Sequence, residues 1–247
     1  MKAMVLAAGL GTRLRPLTDD RPKALVEVAG RTMLEITLAR LRYFGVRQAI
    51  VNVHHFADMV TDYVKANGNF GMHLEVSRED TLLDTGGGLK KAGHFFLDDQ
   101  HPGEPFILHN VDVISTTDLR QMVEFHVANQ ALATLAVRER KSSRSLLFND
   151  QSELCGRQAA GAEAAQVARP ASHAQLLAFS GIHVISPRLL TLIREEGTFS
   201  IIDTYLDLAA RGERILAFRN DDCYWMDLGR PESVAQASRE VSLWVTP

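Results

Sequence analysis

The chain has 247 residues, 46% of them hydrophobic and 23% charged, which excludes a disordered tail, a collagen-like fibre and a disulfide-stapled miniprotein. With 27 Lys and Arg against 30 Asp and Glu the net charge is −3, so neither nucleic acid nor an anionic membrane is expected as a partner. Cys155 and Cys223 are too few for a disulfide framework or a zinc cage and fit a reducing, cytoplasmic setting. The apolar N-terminal stretch is too short for a signal peptide, and no run of about 18 apolar residues reads as a membrane span.

In chain order, residues 4–8 form a short apolar run ending at Gly9 and read as a buried strand. Thr32 caps a helix from Met33, with Met33, Leu34, Ile36, Leu38, Leu41 and Phe44 near one face and Gly45 as its stop. Residues 48–53 read as a second strand, 57–66 as a second helix and 73–77 as a third strand. A glycine cluster and a helical stretch near Lys90 come next, then a fourth strand over 105–109 and a helix over 118–129. Residues 131–138 and 145–148 are further strand candidates, and the alanine-rich, weakly patterned stretch 159–172 reads as a surface excursion. Strands are expected over 176–186, 214–218 and 223–228, with helices over 187–196 and 201–211 between the first two and a last helix opened by Pro231. Strands alternating with helices predict a single α/β domain over 1–247. Its sheet is mostly parallel, with helices on both faces.

Gly9-Leu10-Gly11-Thr12-Arg13 follows the first strand, and Pro22-Lys23 follows that. Glycines let a backbone approach a ligand closely, successive amides make an anion-binding concavity, and Arg13 and Lys23 add charge for a polyphosphate. The same residues can also make a plain tight turn with two exposed bases. A dinucleotide fingerprint fails, because Leu14 stands where its third glycine belongs and Pro16 interrupts the helix. A P-loop fails for want of a lysine after the second glycine.

Residues 6–13 together with Pro22-Lys23 resemble the signature of the sugar-1-phosphate nucleotidyltransferases. The resemblance implies the nucleotide-diphospho-sugar transferase fold, Rossmann-like and mixed but mostly parallel. It also implies that Ala7, Ala8, Gly9, Gly11, Thr12 and Arg13 wrap a nucleoside triphosphate while Lys23 contacts its phosphates. Asp84-Thr85-Gly86-Gly87-Gly88 is similar to the L-E-T-G-G-G stretch of N-acetylmuramate-1-phosphate uridylyltransferases, with Asp84 in place of glutamate. The family places a glycine loop here against base and ribose, which implicates Thr85, Gly86 and Gly87. Taken alone, the cluster is equally a flexible turn opening a helix.

Asp112 and Asp227 each stand at the end of an expected strand, where a carboxylate faces the crevice of an α/β sheet or merely caps a loop. The family makes such a pair the Mg²⁺ site, which implies catalytic roles for Arg13, Lys23 and Asp112. Val111 departs from the glycine many members carry before the first aspartate. For the sugar phosphate the candidates are Asn110, Arg144, Arg169 and Gly181. Arg169-Pro170 stands where many members have Glu-Lys-Pro, and Arg144 closes the basic run 138–144. Asp203 and Tyr205 could reach sugar hydroxyls or belong to a helix cap. His54 and His55 lack a third ligand for zinc, and Trp225 and Phe179 read as packing against the core rather than stacking on a base.

The implied reaction joins an NTP and a sugar 1-phosphate into an NDP-sugar and pyrophosphate. UTP with N-acetylmuramate 1-phosphate is the expected pair. GTP with mannose or heptose 1-phosphate is the rival. A glycosyltransferase of related fold, or a non-catalytic nucleotide-sugar sensor, are the other readings, and self-association is left open.

Overall fold

The computed structural model describes residues 1–97, 103–162 and 164–244. Four parallel strands carry the N-terminal half: β1 (Lys2–Leu6), β2 (Gln48–Val53), β3 (His73–Arg78) and β4 (Phe106–Asn110). They lie in the order β3-β2-β1-β4, with Met4 opposite Ile50 on one side and Leu108 on the other. Between them run the helices α1 (Met33–Tyr43), α2 (Ala57–Ala66) and α3 (Asp84–Lys91). Thr32 caps α1 by accepting from the Glu35 amide at 3.1 Å, and Gly45, at φ +88°, closes it in a conformation that side chains resist.

A short strand β5 (Val113–Ser115) leads to α4 (Leu119–Ala128), capped by Asp118. The second half adds β6 (Ala133–Arg138), β7 (Arg144–Phe148), β8 (Leu154–Ala159), β9 (Gln166–Val167) and the long β10 (Gln175–Ile185). After these come α5 (Arg188–Leu192), α6 (Ile201–Ala210), β11 (Ile215–Arg219), β12 (Trp225–Asp227) and α7 (Pro231–Arg239). The last part of β10 runs antiparallel to β4, while its first part pairs with β7 and opens an antiparallel lobe of β7, β8 and β9. A parallel β6–β11 pair completes the other edge of β10, and β12 pairs with β5 as a separate ribbon. The expected sheet with helices on both faces is therefore present, with antiparallel strands at one side.

The two faces follow from period-2 alternation. Ala3, Val5, Ala49 and Val51 point into a core closed by α1, α2, α4 and α7. Met4, Ile50 and Leu108 point the other way, into a core closed by α3, α5 and α6. The stretch 159–172 corrects the expectation of a plain excursion. Residue 163 in it lies outside the described residues, but Gln166–Val167 pairs with Gly156 and Arg157, and Leu154–Ala159 pairs with β7.

Candidate active site

Three parallel strands end together, so the carboxyl ends of β1, β2 and β4 frame one crevice. The turn after β1 enters it as a fold of 3₁₀ character over Thr12–Leu14. Gly11 holds φ +66°, and a Cβ there would lie 2.9 Å from the Thr18 methyl, so this glycine serves the turn itself. The Thr18 hydroxyl donates to the Gly11 carbonyl at 2.8 Å. Gly9 differs: a Cβ on it would meet no protein atom within 4 Å, and it fronts a cavity of about 330 Å³. Ala7, Ala8, Lys23, Thr85, Asn110 and Asp112 share that cavity. Thr12 and Arg13 line a second hollow that adjoins it through Gly9 and Lys23.

A buried chain of hydrogen bonds holds this wall. The Ala7 amide donates to Asn52 Oδ1 at 2.8 Å, Asn52 Nδ2 donates to Glu79 Oε1 at 2.6 Å, and the Leu83 amide donates to Glu79 Oε2 at 2.9 Å. Asn52 and Glu79 are each 2% exposed, so buried hydrogen bonds tie the first turn, β2 and the entry to α3 together. Neither residue was expected at the site. The signal available was one polar residue, Asn52, inside the apolar strand Gln48–Val53.

The two aspartates are neighbours across the β5–β12 ribbon. Asp227 pairs with Val113, next to Asp112, and the Leu228 amide donates to the Asp112 carbonyl at 2.8 Å. Lys23 Nζ forms an ion pair with Asp112 Oδ2. The Gly229 amide donates to Asp227 Oδ1 at 2.7 Å, and a Cβ on Gly229 would stand 3.1 Å from Arg13 Nη2. Arg13 thus packs over Gly229 beside Asp227. Lys23 is thus paired with Asp112, and Arg13 stands beside Asp227 at the neighbouring position of the ribbon. Among the described residues no cluster of three or more His, Cys, Asp and Glu could hold a metal alone. Two carboxylates are what Mg²⁺ takes when phosphates supply its other ligands, so this donor set fits that ion.

Asn110 and Gly181 also meet, since a Cβ on Gly181 would come within 3.1 Å of Asn110 Nδ2 and 2.7 Å of Val113 Cγ2. Other expectations need correcting. Gly86 and Gly87 are not a loop but buried residues of α3. Their amides donate to the Phe199 carbonyl at 2.9 and 3.3 Å, and added Cβ atoms would lie 2.4 Å from the Phe199 ring and 2.3 Å from the Gly197 carbonyl. They are glycines so that α3 can lie against segment 197–201. Of that motif it is Asp84 and Thr85 that reach the cavity, and Thr85 Oγ1 accepts from the Ile201 amide at 3.0 Å.

Arg169 is engaged elsewhere, with Glu153 at 2.6 Å and with the carbonyls of Ala209 and Glu213, where α6 ends. Arg144 is exposed at the first position of β7. Tyr205 is fully buried, its hydroxyl on His183 Nδ1 at 2.8 Å, and Asp203 pairs with Arg157 at 2.5 Å. Trp225 and Phe179 are half-buried and pack against the two cores, as expected, and Trp225 Nε1 donates to the Ser180 carbonyl at 2.8 Å. Both cysteines are free thiols.

A family model described as nucleotidyl transferase matches residues 2–242 of the chain. The chain is 33% identical over 246 residues to the N-acetylmuramate alpha-1-phosphate uridylyltransferase of Caulobacter vibrioides, covering 97% of itself and 96% of that protein. It is 30% identical over 238 residues to mannose-1-phosphate guanylyltransferase 1 of Arabidopsis thaliana, covering 94% of itself but only 62% of that longer protein. In fold it is similar to HddC from Yersinia pseudotuberculosis complexed with GMP-PN, with a TM-score of 0.76, 22% identity, and coverage of 97% of this chain and 99% of that one. The chain belongs to the nucleotidyl transferase family. Its enzyme class is that of a sugar-1-phosphate nucleotidyltransferase. No helix among the described residues is long and apolar enough to cross a membrane.

Proposed function

We propose that this enzyme couples UTP to N-acetylmuramate 1-phosphate, releasing pyrophosphate. The observation that carries the site reading is the meeting of Asp112, Asp227, Lys23 and Arg13 at the carboxyl ends of the parallel strands. The choice of substrates is supported by the uridylyltransferase relative, which matches the chain over nearly its whole length. The rival pair, GTP with mannose 1-phosphate, is favoured by the guanylyltransferase relative at 30% identity.

The reaction needs no protein nucleophile. An oxygen of the sugar phosphate attacks the α-phosphorus in line, the bond from that phosphorus to the bridging oxygen breaks, and pyrophosphate leaves with the electron pair. Catalysis is then positioning and neutralisation of charge. The turn of Gly9, Gly11 and Thr12 follows the triphosphate with its backbone. Arg13 and Lys23 offset the negative charge that accumulates on the departing pyrophosphate. Lys23 leaves its ion pair with Asp112 as the triphosphate arrives, exchanging one anion for another. Asp112 and Asp227 would hold a Mg²⁺ ion, which would supply positive charge to polarise the phosphate oxygens. Thr85 and Asp84 border the ribose side, while Asn110 and Gly181 border the acceptor sugar. Asn52 and Glu79 hold the Ala7 backbone in register.

Pyrophosphate release, measured with Mg²⁺ across four NTPs and a panel of sugar 1-phosphates, tests this. The expected result is release that requires both UTP and N-acetylmuramate 1-phosphate and that disappears in Asp112→Ala. Release with GTP and mannose 1-phosphate instead would transfer the assignment to the rival pair.

A further inference from the structure

Neither arginine expected at the acceptor phosphate stands at the Asn110–Gly181 corner: Arg169 is bound to Glu153, and Arg144 is exposed on the antiparallel lobe. Arg140 lies two residues past the end of β6, and its guanidinium stacks on the Trp225 ring with Cζ 4.2 Å from the centroid. Trp225 and Asp227 are two apart on β12, so their side chains leave the strand on the same face. The Trp225 indole is tied to the Ser180 carbonyl, one residue before Gly181, whose α-carbon packs against Asn110 and Val113. Arg140 therefore stands beside the Asn110–Gly181 corner and the Asp227 carboxylate.

Its electrostatics are those of a cation without a counter-ion. No carboxylate is within ion-pair distance of Arg140 among the described residues, whereas Arg157, Arg169, Arg188 and Arg219 all have one. Its partners are two carbonyls, Phe179 at 3.1 Å and Lys141 at 3.3 Å, and Nε is buried with none. Burial lowers the basicity of Arg140, and the nearby Asp227 charge partly restores it. A half-buried guanidinium is costly unless an anion completes its hydrogen bonds, and a planar fork suits the two oxygens of a phosphate as it does those of a carboxylate. Stacking on an indole keeps that plane fixed.

We infer that Arg140, clamped on Trp225, binds the phosphate of the incoming sugar 1-phosphate and holds it beside Asp227. The inference rests on the nucleotidyltransferase reading above. A structural arginine would explain the stacking alone, but it would have no need to lie unneutralised next to the acceptor corner.

The test measures KM for each substrate separately in R140Q, with R120Q, an exposed arginine of α4, as the control and the NTP and sugar phosphate pair that the panel identifies. R140Q should raise KM for the sugar 1-phosphate on the order of 10–100-fold, the loss of one charge-assisted contact, and leave KM for the NTP within about twofold. R120Q should behave as the parent enzyme. R140K, which keeps the charge but not the planar fork, should fall between, and it carries the test if R140Q does not fold. An active parent enzyme whose R140Q form shifts both KM values equally, or neither, overturns the role of Arg140 and leaves the reaction standing. A parent enzyme with no sugar-dependent release on any pair overturns the underlying reading and this one with it.

Discussion

Gly9 and Gly87 look alike in the sequence, yet the structure gives them opposite tasks, and exchanging each for alanine separates the two. A Cβ at Gly87 would lie 2.3 Å from the Gly197 carbonyl oxygen and 3.0 Å from Leu83 Cβ. The first obstacle is backbone and cannot rotate away. Overpacking of this kind costs about 1–3 kcal/mol, and the upper end applies here. Alanine in place of glycine inside a helix returns about 1 kcal/mol, so the net loss is about 2 kcal/mol. For a chain of this size that lowers the melting temperature by about 4–8 °C. At Gly9 the backbone is not left-handed and a Cβ meets nothing, so Gly9→Ala should stabilise the protein by about 0.4–1 kcal/mol through its unfolded state. It should nonetheless raise KM for the NTP on the order of tenfold or more, because the methyl group fills the space through which phosphate approaches the backbone. Thermal melts and steady-state kinetics on both variants decide the matter. Unchanged KM in Gly9→Ala would remove the turn after β1 from the triphosphate site. An unchanged melting temperature in Gly87→Ala would refute the packing account of α3.

Three further outcomes are expected. Lys23→Met and Asp112→Asn should each lower kcat on the order of 10²–10³-fold while circular dichroism stays that of the parent protein, and a drop below tenfold would show that neither charge acts in the reaction. Burial holds His109 and His126 down at about 4 and His183 at about 3, against an ordinary value of 6.5. The unfolded chain therefore takes up protons between pH 6.5 and those values that the folded chain refuses, so the stability they contribute is complete above pH 6.5 and is lost as the pH falls. Each loses about 1.4 kcal/mol per pH unit in that window. The urea midpoint should drop from pH 7 to pH 5, less steeply in His126→Gln, and a flat profile would contradict the buried neutral imidazoles. Finally, Gly229→Ala, whose Cβ would lie 2.6 Å from Asp227 Oδ1 and 3.1 Å from Arg13 Nη2, should impair catalysis more than stability, with comparison of melts and turnover as the check.

What was legible in the sequence and what was not follow different physics. Apolar alternation and capping residues are local signals, and so Gln48–Val53 and Ala57–Ala66 could be read to the residue, as could the Thr32 cap. Leu154–Ala159 carries Gly156, Arg157 and Gln158, with no alternation to announce a strand, and it is extended because Arg144–Phe148 lies beside it. The run Asp84–Gly88 consists of weak helix formers yet opens a helix, and Gly86 and Gly87 are needed there because a Cβ would collide with Phe199 and Gly197. The turn after β1 and the two aspartates were visible from their motifs. Arg140 was hidden in a basic run where nothing local distinguishes it from Arg144, since Trp225 reaches it from far along the chain. Glu79 was hidden for the same reason, its partners Asn52 and Leu83 flanking it in space.

The most direct test of the central claim is to follow the phosphorus nuclei of UTP mixed with N-acetylmuramate 1-phosphate, Mg²⁺ and the enzyme. Equal amounts of a nucleoside diphosphate sugar and pyrophosphate should appear as both substrates decline, and added pyrophosphate should reverse the reaction. Loss of UTP that proceeds at the same rate without any sugar phosphate would contradict the transfer chemistry assigned to this crevice.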